Sequence, residues 1–249
     1  MSEIRGVLQA PNDQELAFHK LEGRGPTLVW HCGAGADMQG SKAQALADWA
    51  ARSGRAMVRF DYSGHGASSG RMERGTIGAW REEALCVLDE LVEGPAILVG
   101  SSMGGWLACL VALARPERIK ALVLLAPAVD FTSKLIWARL PSTARQAIRS
   151  EGIWWRPGEG GGRGLPVTRT LLEEGRRWSI LPGPIAIRAP VRILQGGADQ
   201  DVPAHHAAAV ARALQSQDVV FTLIKDAGHR LSRPQDLARM IAAADEVSA

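Results

Sequence analysis

Residues 95–113 read Pro95-Ala-Ile-Leu-Val-Gly100-Ser-Ser102-Met-Gly104-Gly-Trp106-Leu-Ala-Cys-Leu-Val-Ala-Leu113. A short apolar β-rich run meets a long helical one at Gly100-Ser101-Ser102-Met103-Gly104, and a G-x-S-x-G at a strand-to-helix junction predicts a sharp turn that thrusts one serine hydroxyl out of the sheet. The glycines allow the close backbone approach such a turn needs, and the helix N-terminus behind it favours developing negative charge. Ser102 is the serine so placed. Ser101 fails the same test, because its flanking positions would be Val99 and Met103.

Outward from this turn, strand-like and helix-like runs alternate, the pattern of an α/β chain with a mostly parallel central sheet and helices on both faces. Thr27–His31, Ala56–Phe60, Ala96–Gly100, Ile119–Leu125, Val191–Gln195 and Val219–Ile224 read as strands. Ser41–Ala51, Thr76–Val92, Met103–Ala114, Pro203–Leu214 and Pro234–Ala244 show helical spacing, several opening on Ser, Thr or Pro. The alternation lapses over residues 131–190, which hold four of the eight tryptophans (Trp137, Trp154, Trp155, Trp178) and the glycine-rich stretch 157–164. This predicts a helical cap insertion with a hinge, lying over one end of the sheet, within a single domain spanning 1–249.

The 249 residues, 46% of them hydrophobic, are enough to bury a sizeable core. No apolar run is long enough for a membrane span and the N-terminus does not read as a signal peptide, so a cytoplasmic protein is expected. Cys32, Cys86 and Cys109 form no metal-type spacing and read as free thiols. A formal charge of +3 with no basic motif argues against nucleic acid. The distribution of charge is more telling: ten basic residues against four acidic ones give the 131–190 segment +6 and leave the remainder at −3.

A serine needs an imidazole to take its proton. His229, in Asp226-Ala-Gly-His229-Arg just past the last strand, is best placed; His31 and His65 read as polar residues of strand-end loops, and His205-His206 as a solvated pair and not a metal site. The imidazole in turn needs a carboxylate, expected between serine and histidine in chain order. Asp199, directly after the strand Val-Arg-Ile-Leu, fits; Asp201 competes, with capping of the following helix as its simpler role. For an oxyanion, the amide of Met103 follows the nucleophile, and Ala34, with Gly35 as alternative, supplies a second donor from the loop His31–Asp37.

Asp61-Tyr-Ser-Gly64-His-Gly66-Ala-Ser68, Gly100-Ser-Ser102-Met-Gly-Gly-Trp106, Ala114-Arg-Pro-Glu117, Asp199-Gln-Asp-Val-Pro203 and Gly228-His229-Arg230 follow one another in the order typical of α/β-hydrolases. With Met38-Gln-Gly-Ser-Lys-Ala43 and Gly152-Ile-Trp154, the chain more narrowly resembles the mitochondrial serine hydrolases described as palmitoyl-protein thioesterases and acyl-glucuronide esterases, with their bacterial relatives. The resemblance implies the α/β-hydrolase fold, an acyl-enzyme on Ser102 and hydrolysis of an ester or thioester, with no metal or organic cofactor. Its substrates would be small-molecule esters or acylated proteins. Two features depart from the family: no presequence-like N-terminus, and an arginine-rich cap with the run Gly160-Gly161-Gly162. Cap tryptophans such as Trp154 and Trp155 suit an apolar acyl site, and Arg169 and Arg176 an anionic leaving group; cap core and solvated surface are the competing roles. A carbon–carbon bond hydrolase, an aminopeptidase or a non-catalytic receptor could use the same fold.

Overall fold

The computed structural model describes residues 3–157 and 163–248. The chain opens with an antiparallel hairpin, β1 (Glu3–Gln9) and β2 (Glu15–Leu21), which the sequence pattern does not announce. β1 lies at the sheet edge with Ile4 and Val7 exposed, so its apolar residues follow no buried stripe.

Thereafter the alternation holds: β3 (Arg24–His31), α1 (Ser41–Ser53), β4 (Arg55–Phe60), α2 (Ile77–Leu91), β5 (Ala96–Ser101), α3 (Met103–Ala114) and β6 (Ile119–Leu125). Within residues 131–190 lie α4 (Ser142–Glu151), β7 (Ile153–Pro157), β8 (Arg163–Thr168) and α5 (Arg169–Gly175). The alternation resumes with β9 (Val191–Gly196), α6 (Ala204–Ala213), β10 (Val219–Ile224) and α7 (Pro234–Glu246).

Eight strands form one sheet in the order β1-β2-β4-β3-β5-β6-β9-β10, parallel from β4 to β10, with β2 antiparallel to both of its neighbours. β5 and β9 are buried at every position, which is why they read as unbroken apolar runs. α1 packs with α7, and α2 with α3, to cover the two faces. Trp80, Trp106, Tyr62 and Phe60 are among the largest fully buried side chains, and each buried Leu, Ile or Val of the sheet contributes about 1.5–3 kcal/mol of transfer free energy.

This order positions the site. From β3 the chain goes to β4 on one side and then to β5 on the other, and a crevice opens at the carboxyl ends of strands where such a reversal occurs. His31 is paired with Gly100 there, so the loop after β3 and the turn after β5 leave the sheet side by side.

The 131–190 segment corrects the expectation of an insertion without strands. β7 and β8 pair antiparallel, Trp154 opposite Val167 and Trp155 opposite Pro166, because a stretch of β-branched and aromatic residues suits a pleated hairpin better than a helix. Leu140, Ala144, Ile148, Val167 and Leu172 make a small core of their own, against which Trp154 packs. α5 is fastened to the N-terminus of α2 by Glu174, which accepts from the Gly78 amide. The expected glycine hinge at 160–162 lies outside the described residues. Among the described residues no helix is long and apolar enough to cross a membrane.

Candidate active site

Ser102 sits between β5 and α3 with φ 54° and ψ −118°, a conformation that costs a non-glycine residue roughly 1–3 kcal/mol. The turn is held by its own backbone: Ser102 N–H donates to Leu125 O (2.9 Å), and Ser102 O accepts from Gly105 (2.9 Å) and Ala128 (3.0 Å). A Cβ at Gly100 would lie 2.4 Å from Gly104 O, so the flanking glycines are required by contact as well as by the turn. Ser101 is buried, whereas Ser102 is partly open.

The turns after β9 and β10 are laced together by Gly197 N–H to Ile224 O (2.8 Å) and Ala198 N–H to Ala227 O (2.9 Å). That lacing brings Asp199 under His229: His229 Nδ1 lies 2.8 Å from Asp199 Oδ2, and His229 Nε2 lies 3.0 Å from Ser102 Oγ. The Asp199 carboxylate is buried and saturated. Oδ1 accepts from the amides of Asp201 (2.9 Å) and Val202 (2.8 Å), and Oδ2 also accepts from Gln195 Nε2 (3.2 Å). Burial works to raise this carboxyl, but the His229 ring, the Val202 amide and Gln195 outweigh it and hold it below the usual aspartate range.

Asp201 has neither of the roles weighed for it. The N-cap of α6 is Pro203, with no side-chain cap, and Asp201 instead pairs with Arg156 of β7 (2.6 Å). Ligand-type atoms of Asp199, Asp201 and His229 fall within 4.8 Å of one another, but four donors already occupy the Asp199 oxygens and Arg156 meets Asp201, so the cluster is a hydrogen-bond network.

Met103 is the first residue of α3, so its amide is among those with no acceptor inside the helix. The loop carrying Ala34 and Gly35 borders the serine: a Cβ on Gly33 would lie 3.3 Å from Ser102 Cβ. Its far end is fixed at Met38, whose N–H donates to buried Asp61 (2.7 Å) and whose O accepts from Arg59 (2.9 Å). The geometry thus offers an alcohol with an adjacent imidazole, a buried carboxylate behind it, and amides beside it.

Three contacts escaped sequence reasoning. Arg139 donates to the carbonyls of Gln200 (3.0 Å) and Asp201 (2.9 Å), tying the 131–190 segment to the turn of Asp199. Leu165 of β8 lies directly on Gly35. Lys42, at the start of α1, donates to the carbonyl of Arg230, and burial with the neighbouring Arg230 charge pushes its ammonium down to about 8. Each depends on residues far apart in sequence and carries no local signal.

The other histidines divide. His31 is fully buried, with Nδ1 2.7 Å from the Tyr62 hydroxyl, and His65 packs against Tyr62 and Trp80, so both belong to the interior. His206 is not part of a solvated pair. It is buried, with Nε2 2.8 Å from Val129 O, because α6 turns that side of the helix toward the end of β6; only His205 is exposed. Cys32 and Cys109 are buried free thiols, and Cys86 is half-buried.

The family model described as serine aminopeptidase, S33, matches residues 28–156, and that of the prolyl oligopeptidase family matches residues 93–246. The mitochondrial palmitoyl-protein thioesterase ABHD10 of Bos taurus is 36% identical over 241 residues, covering 96% of this chain and 78% of its own. The chain belongs to the ABHD10 family of α/β-hydrolases. A putative hydrolase from Agrobacterium vitis superposes with a TM-score of 0.95 at 39% identity over 100% of both chains. Mouse alpha/beta hydrolase domain-containing protein 10 does so with 0.89 at 34% identity over 98% of each. The ABHD10 thioesterases are mitochondrial by name, so the cytoplasmic expectation finds no support in the family.

In this ABHD10-family chain the four residues singled out from sequence in the 131–190 segment are not gathered in one place. Trp154 packs on the small core of the insertion, and Trp155, next along the strand, turns to the other face of the hairpin. Arg169 donates to the carbonyls of Ile148 and Arg149 at the end of α4. Together with Arg176, Arg149, Glu173 and Trp137 it lines a groove of about 360 Å³ whose walls include neither Ser102 nor His229.

Proposed function

We propose that this chain is a serine hydrolase that cleaves a carboxylic ester or thioester through an acyl-enzyme on Ser102, within one domain in which residues 131–190 form the cap. The observation that carries the reading is the unbroken chain Ser102 Oγ to His229 Nε2 (3.0 Å) and His229 Nδ1 to Asp199 Oδ2 (2.8 Å). Ser102 attacks the substrate carbonyl as His229 takes its proton. Asp199 stays ionised, keeps the Nδ1–H tautomer and stabilises the imidazolium. The amides of Met103 and Ala34 receive the oxyanion, and His229 returns the proton to the departing alcohol or thiol. Water then repeats the sequence and frees the acid.

The relatives' thioesterase activity supports an acylated protein as substrate, and an acyl glucuronide meets the same chemistry. Trp155, on the face of the hairpin opposite the small core that Trp154 packs on, is proposed as the acyl wall. Arg176 is the better anion contact, since Arg169 already holds two carbonyls. Neutralising Arg176 is expected to raise KM for an anionic ester and leave a neutral ester unchanged; equal effects on both esters remove Arg176 from substrate binding. The peptidase names of the two family models favour one competing reading, amide hydrolysis by the same three side chains.

The test is release of p-nitrophenol from short and medium acyl esters by the wild type, Ser102→Ala and Ser101→Ala, followed by a thioester and an aminoacyl amide. Loss confined to Ser102→Ala, with the thioester preferred, is the expected result. An inert wild type leaves a receptor on the hydrolase fold, an active Ser102→Ala removes Ser102 as the nucleophile, and preference for the amide makes it a peptidase.

A further inference from the structure

Gln195 closes the apolar run of β9, and its side chain is fully buried. Burying a primary amide is costly unless its polar atoms are partnered. Here the partnering is lopsided. Nε2 faces three acceptors, Val202 O (2.9 Å), Gly196 O (3.1 Å) and Asp199 Oδ2 (3.2 Å), while Oε1 finds no partner among the described residues. Exchanging the two ends of the amide would aim Oε1 at two carbonyls and a carboxylate, so the surroundings dictate which end is nitrogen. The amide is therefore oriented by its acceptors, and one of the three is the Asp199 oxygen that faces His229.

We infer that Gln195 is a positioning residue for the acid: it holds Asp199 Oδ2, the oxygen that also meets His229 Nδ1, in the orientation that aims the imidazole at Ser102. The inference rests on the catalytic reading of Ser102, His229 and Asp199. The backbone amides of Asp201 and Val202 fix Oδ1, and Gln195 is the donor besides His229 that holds Oδ2. Without it Oδ2, left to the imidazole alone, becomes more basic. A more basic oxygen favours the imidazolium in the free enzyme, so a higher pH is needed to reach the neutral base.

The competing role is structural: the amide could serve only to tie Gly196 and Val202 together. A double-mutant cycle separates the two, with kcat/KM for a p-nitrophenyl ester measured across pH for Gln195→Met, Asp199→Ala and the pair. Gln195→Met is expected to lower kcat/KM about tenfold at neutral pH and to shift the acid limb of its profile upward. In the Asp199→Ala background the same change should do nothing further, since no carboxylate remains to hold. An equal fold-loss in both backgrounds, or an unmoved acid limb, overturns the inference. Wild-type turnover in Asp199→Ala overturns the triad reading and the inference with it, which distinguishes the two failures. If Gln195→Met does not fold, Gln195→Leu, which also lacks the donor and adds no charge, goes through the same cycle, and an equal fold-loss in both backgrounds or an unmoved limb is again fatal to the proposal.

Discussion

Gly104 lies so close to the backbone of His31 that a Cβ on it would stand 2.1 Å from the His31 carbonyl oxygen, with the Cys32 oxygen at 2.5 Å. Both are main-chain atoms at the end of β3, and neither can retreat without moving the loop that borders Ser102. Gly104→Ala is therefore expected to cost about 3 kcal/mol or more, at the upper end of overpacking penalties, visible as a lowered urea midpoint. Gly35→Ala differs, because the nearest atom is the flexible end of Leu165; the strain is its φ of +71°, about 1–2 kcal/mol. Equal midpoints for the two variants would contradict this ranking.

Asp199 and Asp201 are two residues apart yet make different contacts, the one with His229 and the other with Arg156. Asp199→Ala should lower kcat for an activated ester by about a thousandfold or more, as loss of the carboxylate behind a base does elsewhere. Asp201→Ala removes an ion pair to Arg156 that is 55% exposed on the arginine side and 41% on the aspartate side. It should therefore cost at most about 1 kcal/mol of stability and little turnover. Steady-state kinetics on the two variants decides, and a larger kinetic loss in Asp201→Ala would reverse the roles.

Burial pushes the His31 imidazole down to about 3. Because its folded value lies below the unfolded value of about 6.5, the unfolded chain binds the extra proton as pH falls. The stability His31 contributes is complete above about pH 6.5 and is lost as pH drops toward 3, with a slope of up to about 1.4 kcal/mol per pH unit. Urea unfolding between pH 7 and pH 4 should show this slope reduced in His31→Gln, and parallel curves for the two proteins would refute the assignment.

Lys42→Met frees the Arg230 carbonyl, one residue beyond His229. Lys42 is half-buried and donates to a carbonyl that can turn to water, so its loss should cost about 1 kcal/mol of stability, while kcat should fall about tenfold from the lost charged hydrogen bond. Thermal melts beside kinetics test the combination, in which Tm falls slightly and kcat drops. A variant with wild-type kcat would show that the His229 loop needs no such anchor.

Much of this fold is legible along the chain because β3–β6 and β9 are covered by helices on both faces, and the buried runs they require stand out against polar turns; β10, an edge strand with Val220 and Leu223 exposed, is legible only from its β-branched and aromatic residues. The elbow at Ser102 is legible for a related reason: its glycines and its place between strand and helix are local necessities. β1 and β2 are not, since an edge strand that leaves Ile4 and Val7 exposed obeys no strict pattern. Nor is the hairpin of β7 and β8, whose pairing is set by packing against α4 and the small core around Val167.

The sequence by itself determined the α/β architecture, the serine at the strand end, and the order in which serine, aspartate and histidine follow one another. Tertiary structure alone decided that residues 102, 199 and 229 meet within 3.0 Å, that Asp201 turns to Arg156, and that Gln195 gives its NH₂ group to Asp199. The physical reason is the range of the forces involved. Turn geometry and burial act on neighbouring residues and leave a mark in the chain, whereas a hydrogen bond between side chains 127 residues apart exists only once the sheet has brought its strand ends together.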